Sequence, residues 1–161
     1  MDALWAPWRM SYILGQDKAP GCIFCLACDG KGVDDLVLGV GETSLIMMNK
    51  YPYNNGHLMV APKRHVSDLE KLEARELSQL TENVRLAVAV LKKLMNPEGF
   101  NVGLNLGKAA GAGIEEHMHF HVVPRWNGDT NFMTVLGEVR SVPEHIRATH
   151  EKLKPHFAQI K

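Results

Sequence analysis

Leu77, Leu80, Val84, Ala87, Val88, Leu91 and Leu94 recur at three- and four-residue steps, the spacing that gathers apolar side chains on one side of an α-helix. The pattern predicts a single long amphipathic helix over residues 73–95, stopped by Asn96-Pro97. One helix with one apolar stripe cannot bury that stripe by itself, so the rest of the chain must supply a second layer. Three strand-like runs, at residues 36–40, 43–49 and 56–61, precede the helix and are separated by Gly41-Glu42 and by Tyr51-Pro52-Tyr53-Asn54-Asn55. After the helix, Phe100, Val102, Leu104 and Leu106 alternate with Asn101, Gly103 and Asn105, and a second alternating run covers residues 116–123, closed by Pro124. Strands, one long helix, then strands again imply an α+β fold: an antiparallel sheet of about five strands, packed on that helix. The tail, residues 141–161, reads as a further helix with Ser141 as cap and Pro143 early in its first turn.

With 161 residues, no internal repeat and no linker-like stretch, the chain has room for one core and reads as one domain. Residues 1–32 form its least regular part, carrying Trp5, Trp8, Tyr12 and three cysteines at positions 22, 25 and 28. Lys plus Arg and Asp plus Glu each total 18, so no global field recruits nucleic acid or an anionic membrane. Residues 86–91, an apolar run, fall far short of the roughly 20 needed to span a bilayer, and the first residues carry no basic leader. A cytoplasmic protein is expected. An odd, tightly clustered set of cysteines suits a metal knuckle in a reducing compartment better than a disulfide framework.

The second alternating run carries the chemistry. Strand period 2 puts His117, His119 and His121 on one face, about 6.6 Å apart along the backbone, while Met118, Phe120 and Val122 point to the core. A nucleophilic histidine needs an unprotonated ring nitrogen aimed at phosphorus, an acceptor for its other N–H, and a neighbouring donor for the charge that develops. Three imidazoles in register on a surface-facing stripe can meet those needs, although a metal-binding or merely solvated stripe has the same spacing. Asn105 falls on the polar face of the preceding strand, where its amide could reach a phosphate or satisfy the turn. Lys108 and the backbone N–H groups of Gly111 to Gly113 could form an anion nest beside it.

The run His117-Met118-His119-Phe120-His121-Val122-Val123, followed by Pro124-Arg125, resembles the motif of the histidine-triad family. Upstream, Asn49, Gly56-His57-Leu58-Met59-Val60 and Pro62-Lys63 are similar to that family's nucleotide-pocket segment, so the likeness covers about residues 22–126. The resemblance implies that His119 is a nucleophile forming a covalent nucleotidyl-histidine, which splits one displacement into two. It implies that His121 contacts phosphate oxygens and assists the leaving group, that His57 supports the same pocket, and that His117 holds the His119 ring through its backbone carbonyl. Asn49 would lie near the ribose, and Trp126 would either stack on a base or pack beneath the tail. A homodimer joining two sheets and the absence of an organic cofactor are further implications.

Cys22-Ile23-Phe24-Cys25 is a CxxC pair, and a tetrahedral zinc needs two more ligands. Some members of this family hold zinc with such a pair, a histidine after the Pro-Lys of the central strand and the first triad histidine; by resemblance these are His65 and His117. Reduced, buried thiols without metal remain the alternative, and Cys28 is either a replacement ligand or free.

The acceptor of the nucleotidyl group is the remaining question. Family hydrolases typically carry glutamine four residues before the first triad histidine, where this chain has Gly113. Residues 111–132, and the Leu4-Trp5-Ala6-Pro7-Trp8-Arg9-Met10 start, resemble the bacterial diadenosine tetraphosphate phosphorylase branch of the family. That likeness favours phosphorolysis of diadenosine tetraphosphate to ATP and ADP, with inorganic phosphate as acceptor. Hydrolysis of dinucleoside polyphosphates or adenosine phosphoramidates is the rival, and a non-catalytic nucleotide-binding or zinc-stabilised interaction module the second.

Overall fold

The computed structural model describes residues 21–31, 36–129, 144–158 and 160. Trp5, Trp8, Tyr12, the Leu4 to Met10 stretch, residues 130–132, Ser141 and Pro143 lie outside them. The element order is α1 (Ile23–Cys28), β1 (Val37–Val40), β2 (Ser44–Met48), β3 (Leu58–Pro62), α2 (Ala74–Met95), β4 (Gly99–Leu104), β5 (Phe120–Arg125) and α3 (Ile146–Leu153). The strands form one antiparallel sheet in the order β1-β2-β3-β5-β4.

Helix α2 starts at a capping box, in which the side chains of Glu73 and Glu76 each accept from the other's backbone N–H. It ends at Asn96 in the left-handed conformation, with Pro97 next. The apolar stripe lies one step off its expected centre: Leu80, Ala87 and Leu91 are buried as the spacing predicts, Val90 joins them, and Leu77 faces solvent. A polar pair also sits beneath the helix, where buried Asn83 donates through Nδ2 to Ser44 Oγ at 2.6 Å. Each partner satisfies the other in a place that would otherwise charge the full cost of desolvation.

The sheet separates two apolar layers. Ile46, Met48, Leu58, Val60 and Val122 face α2 and the C-terminal Leu153 and Phe157. Leu45, Met47, Met59 and Ala61 face the other way, towards Phe24 and Ala27 of α1. β2 and β3 are therefore buried on both sides along their whole length. Gly39 marks where the tail closes over β1, since a Cβ there would stand 2.6 Å from the Phe157 carbonyl oxygen.

Two strand boundaries depart from the sequence expectation for a physical reason. Residues 117–119 precede β5 instead of belonging to it: β3 ends at Pro62, and Met118 N–H donates to the Val66 carbonyl at 2.8 Å, on the chain leading away from the sheet. Pro124, expected to close the strand, lies inside it and pairs with Phe100. Its missing N–H is tolerated because the β3 ladder has ended at Leu58 opposite Val122. The tail helix begins at Ile146 among the described residues, with His145 accepting from Arg147 N–H as its cap.

Candidate active site and metal centre

Residue parity gives the site its face. Met59 pairs with His121 across β3 and β5, so His121 lies on the side of the sheet that α1 covers, away from α2. His57 precedes β3 by one residue and shares the face of Met59 and Ala61. Gly56 makes that entry possible: it takes a φ of +75°, and a Cβ there would meet Met95 Sδ at 2.7 Å. His119 and His121 then stand edge to face with ring centroids 4.7 Å apart. Met118 and Val122 point to the opposite layer, as the alternation predicts.

The depth differs from the expectation of a surface-facing stripe. His117 is fully buried and His119 is only 5% exposed, because Phe24 of α1 lies across both rings at 5.0 and 4.8 Å. The cysteine-bearing helix thus roofs the middle of the triad. Phe24 sits inside the CxxC motif, and its apolar bulk between two cysteines is the sequence signal for this roof.

His117, His119 and His57 each meet a partner whose role is unambiguous, which determines the ring nitrogen that holds the proton, and His121 follows from His57. His119 Nδ1 lies 3.0 Å from the His117 carbonyl oxygen, which can only accept, so Nδ1 carries hydrogen and Nε2 keeps a lone pair. His117 Nε2 lies 2.8 Å from the Pro62 carbonyl oxygen, so Nε2 carries hydrogen and Nδ1 keeps the lone pair. Tyr53 N–H, which can only donate, points at His57 Nδ1 from 3.0 Å. His57 therefore donates from Nε2 to His121 Nδ1 at 2.9 Å, and His121 carries its own hydrogen on Nε2. Burial pulls His119 below the ordinary imidazole range and holds His117 and His121 down to about 4, so the rings are neutral near pH 7. A buried ring with one free lone pair beside a ring with one outward N–H is an arrangement for attack and leaving-group stabilisation.

The lone pair of His117 Nδ1 points into a second cluster. It lies 3.2 Å from Cys22 Sγ, 3.7 Å from Cys25 Sγ and 3.2 Å from His65 Nδ1, while Cys25 Sγ and His65 Nδ1 are 3.4 Å apart. A tetrahedral ion with metal–sulfur and metal–nitrogen distances of about 2.3 and 2.0 Å sets its ligand atoms roughly 3.3 to 3.8 Å apart. The four side chains fit such an ion, with all ligand atoms within 4.8 Å of one another. Burial pushes the Cys25 thiol up to about 11, reinforced by Cys22, a cost that a bound cation reverses by favouring thiolate. Cys28 lies outside this quartet and packs against the Phe24 layer.

The remaining sequence candidates are placed as follows. Asn49 Oδ1 accepts from Tyr51 N–H at 2.9 Å, which turns Nδ2 to within 3.4 Å of His57 Nδ1. Asn105 Nδ2 reaches the Gly111 carbonyl at 3.4 Å, the turn-satisfying use of that amide. Lys108 is exposed at the start of a one-turn helix, and Gly111 ends it with φ +85°. Gly113 lines an open groove of about 460 Å³ together with Cys22 and His65, which sets it beside the metal quartet. Trp126 is half-buried and donates its backbone N–H to Asp129. The sequence reading missed Tyr53 and Asn54, which contact His57, and Asp129, which holds Asn54; all three have the character of ordinary turn residues.

Comparison with known proteins agrees with this geometry. A family model described as "HIT domain" matches residues 31–128. The AP-4-A phosphorylase of Mycobacterium tuberculosis (strain ATCC 25618 / H37Rv) is 39% identical over 167 aligned positions, covering 99% of this chain and 86% of that protein. The adenosine 5'-monophosphoramidase of Schizosaccharomyces pombe is 27% identical over 82% of this chain and 95% of its own. Among solved structures, a zinc-bound histidine triad family protein from Mycobacterium smegmatis superposes with a TM-score of 0.69 at 26% identity, covering 84% of this chain and 92% of that one.

Proposed function

The chain belongs to the histidine-triad family, and from that premise we propose that it is a nucleotidyl transferase that cleaves diadenosine tetraphosphate with inorganic phosphate. The observation that carries this reading is the pairing of His119 Nδ1 with the His117 carbonyl, which leaves Nε2 unprotonated in a buried, neutral ring. In the first step His119 Nε2 attacks an α-phosphorus, a nitrogen–phosphorus bond forms, and the bond to the bridging oxygen breaks to release ATP. His121 donates from Nε2 to the oxygen that leaves. In the second step a phosphate oxygen attacks the adenylyl-His119, the nitrogen–phosphorus bond breaks, and ADP departs.

Phosphate over water as acceptor is supported by the similarity to a protein named AP-4-A phosphorylase across nearly the whole chain. Gly113, in place of the glutamine typical of the family's hydrolases, points the same way, since an unheld water gains little from proximity. Hydrolysis of phosphoramidates or dinucleoside polyphosphates is the second reading, favoured by the monophosphoramidase relative.

Zinc is the ion best matched to two thiolates and two imidazoles at these separations. Cys22, Cys25, His65 and His117 would hold it; its contribution is rigidity, because a closed four-ligand site leaves no position for substrate. Ligands of this kind stay reduced in a cytoplasm-like compartment. β4 lies at the edge of the sheet with Val102 45% exposed, and in this reading it joins the same strand of a second copy to form a homodimer.

Incubation with diadenosine tetraphosphate, with and without inorganic phosphate, tests the proposal. Phosphate should accelerate substrate loss and yield ADP plus ATP. Turnover indifferent to phosphate, with AMP plus ATP as products, assigns the enzyme to the hydrolases.

A further inference from the structure

A pair of neutral imidazoles cannot determine which of the two donates, because each has one hydrogen and two nearly equivalent nitrogens. Left to themselves, His57 and His121 could reverse their bond and leave His121 with a lone pair, not a hydrogen, on Nε2. The degeneracy is broken from outside by two groups that can only donate to His57 Nδ1: Tyr53 N–H at 3.0 Å and, from farther away, Asn49 Nδ2 at 3.4 Å. The closer of the two, the Tyr53 amide, sits in the turn at residues 51–56, and Asn54 ties that turn to β5 and Asp129.

Asn54 Nδ2 donates to the Pro124 carbonyl at 3.1 Å and to Asp129 Oδ2 at 2.7 Å. Its Oδ1 accepts from Asn55 N–H at 3.1 Å, and its own carbonyl accepts from His57 N–H at 3.2 Å. Asp129 is a rigid seat: Arg125 grips both its oxygens at 2.6 Å, and Trp126 N–H donates to it at 3.1 Å. Pro124 and Arg125 belong to β5, the strand that carries His121. One asparagine thus ties the turn that orients His57 to the strand that bears its partner. Further along, Thr149 Oγ1 lies 2.7 Å from Glu144 Oε2, to which it donates, and 3.2 Å from the Asn55 side-chain amide, a contact that sets the same turn against α3.

We propose that Asn54, seated on Asp129 and the Pro124 carbonyl, is a positioning residue that fixes the tautomers of His57 and His121, so that His121 meets the substrate as a donor from Nε2. The role of His121 in the reaction rests on the nucleotidyl-transfer reading above; the tautomers do not.

The test is nitrogen-15 NMR of the full chain with labelled histidine, alongside kinetics on diadenosine tetraphosphate with phosphate. The native protein should show both His57 and His121 protonated on Nε2. In Asn54→Ala and in Asp129→Asn, both histidines should become tautomer mixtures while His119 stays protonated on Nδ1. The kcat should fall about 100-fold, as expected for a misplaced donor, with KM moved by less than about threefold. Asp129→Asn carries the test alone if Asn54→Ala does not fold. Protonation on Nδ1 at either histidine in the native protein, or unchanged tautomers in the variants, overturns the proposal. Mixed tautomers with unchanged kcat overturn it too, and His121→Asn then says more: if that variant is inactive the transfer reading survives, and if it is active both fall.

Discussion

His117 and His121 are equally distant from His119 in sequence and lie on the same side of the chain, yet they face different chemistry. His117 gives its Nε2–H to the Pro62 carbonyl and turns a lone pair to two cysteines and His65. His121 receives a hydrogen bond from His57 and turns an N–H away from it. Periodicity brings both to one face. The partner atom, a carbonyl in one case and an imidazole governed by a backbone amide in the other, decides whether the ring offers a lone pair or a hydrogen.

The largest way to break the comparison is to remove the residue between them. His119→Ala should lower kcat/KM by at least about 1,000-fold. Because His119 is buried beneath Phe24, the melting temperature should fall as well, by roughly 1–3 kcal/mol of stability. Activity within about tenfold of the native enzyme would falsify the assignment of nucleophile.

Next in size is the metal side. Protein purified without chelator should contain about one zinc per chain. Cys22→Ser should abolish most of that content and lower the melting temperature by about 5 °C or more, while leaving the His57 and His121 tautomers as they were. Metal analysis that finds no zinc in the native protein refutes the quartet as a metal site.

A third effect belongs to the pocket side. His121 sits at about 4, below its ordinary value, because burial disfavours the charged ring. The unfolded chain therefore binds the extra proton first: this stability is present in full above about pH 6.5 and is lost as pH falls through 6.5 towards 4. Melting temperatures across pH 7 to 4 should drop less steeply in His121→Asn than in the native protein. Parallel curves would mean that His121 titrates normally in the fold.

The smallest effect concerns the outer rim of the metal quartet. Glu116 Oε2 lies 4.0 Å from His65 Nε2 with both side chains well exposed, so Glu116→Gln should weaken zinc affinity by less than about fivefold and leave kcat untouched. A loss beyond about tenfold in competition titrations would show that the carboxylate does more than its distance allows.

Much of this molecule is legible in its sequence where local periodicity decides. Helix α2 begins and ends within a residue of the range drawn from Leu80, Leu91 and Asn96-Pro97, because period and cap agree. The five strands follow from three short strand-like runs and two alternating ones, but their ends depend on which neighbour continues: Pro124 stays in β5 only because β3 has stopped. The triad's common face was readable; its burial was not, since the ring that roofs it comes from Phe24, more than ninety residues earlier. Likewise the cluster joining Cys22 to His117 and His65 cannot be obtained from spacing, only from resemblance or from the folded chain. The clamp of Asn54 on Asp129 had no signal beyond ordinary turn residues.

The bond that orients His119, the proposed nucleophile, uses the carbonyl of residue 117, a group that every amino acid brings to that position. The imidazole of His117 has a separate employer in the metal quartet. Two tasks assigned to one residue are thus carried by two chemically independent halves of it. A substitution at 117 that kept the backbone path would strip the ion and still present an oxygen to His119 Nδ1, so loss of zinc and loss of the nucleophile are separable events. A zinc held by the quartet would act on the proposed reaction only through where it places that oxygen. Any other packing able to hold the backbone there, an apolar plug under Phe24 for example, could stand in for it.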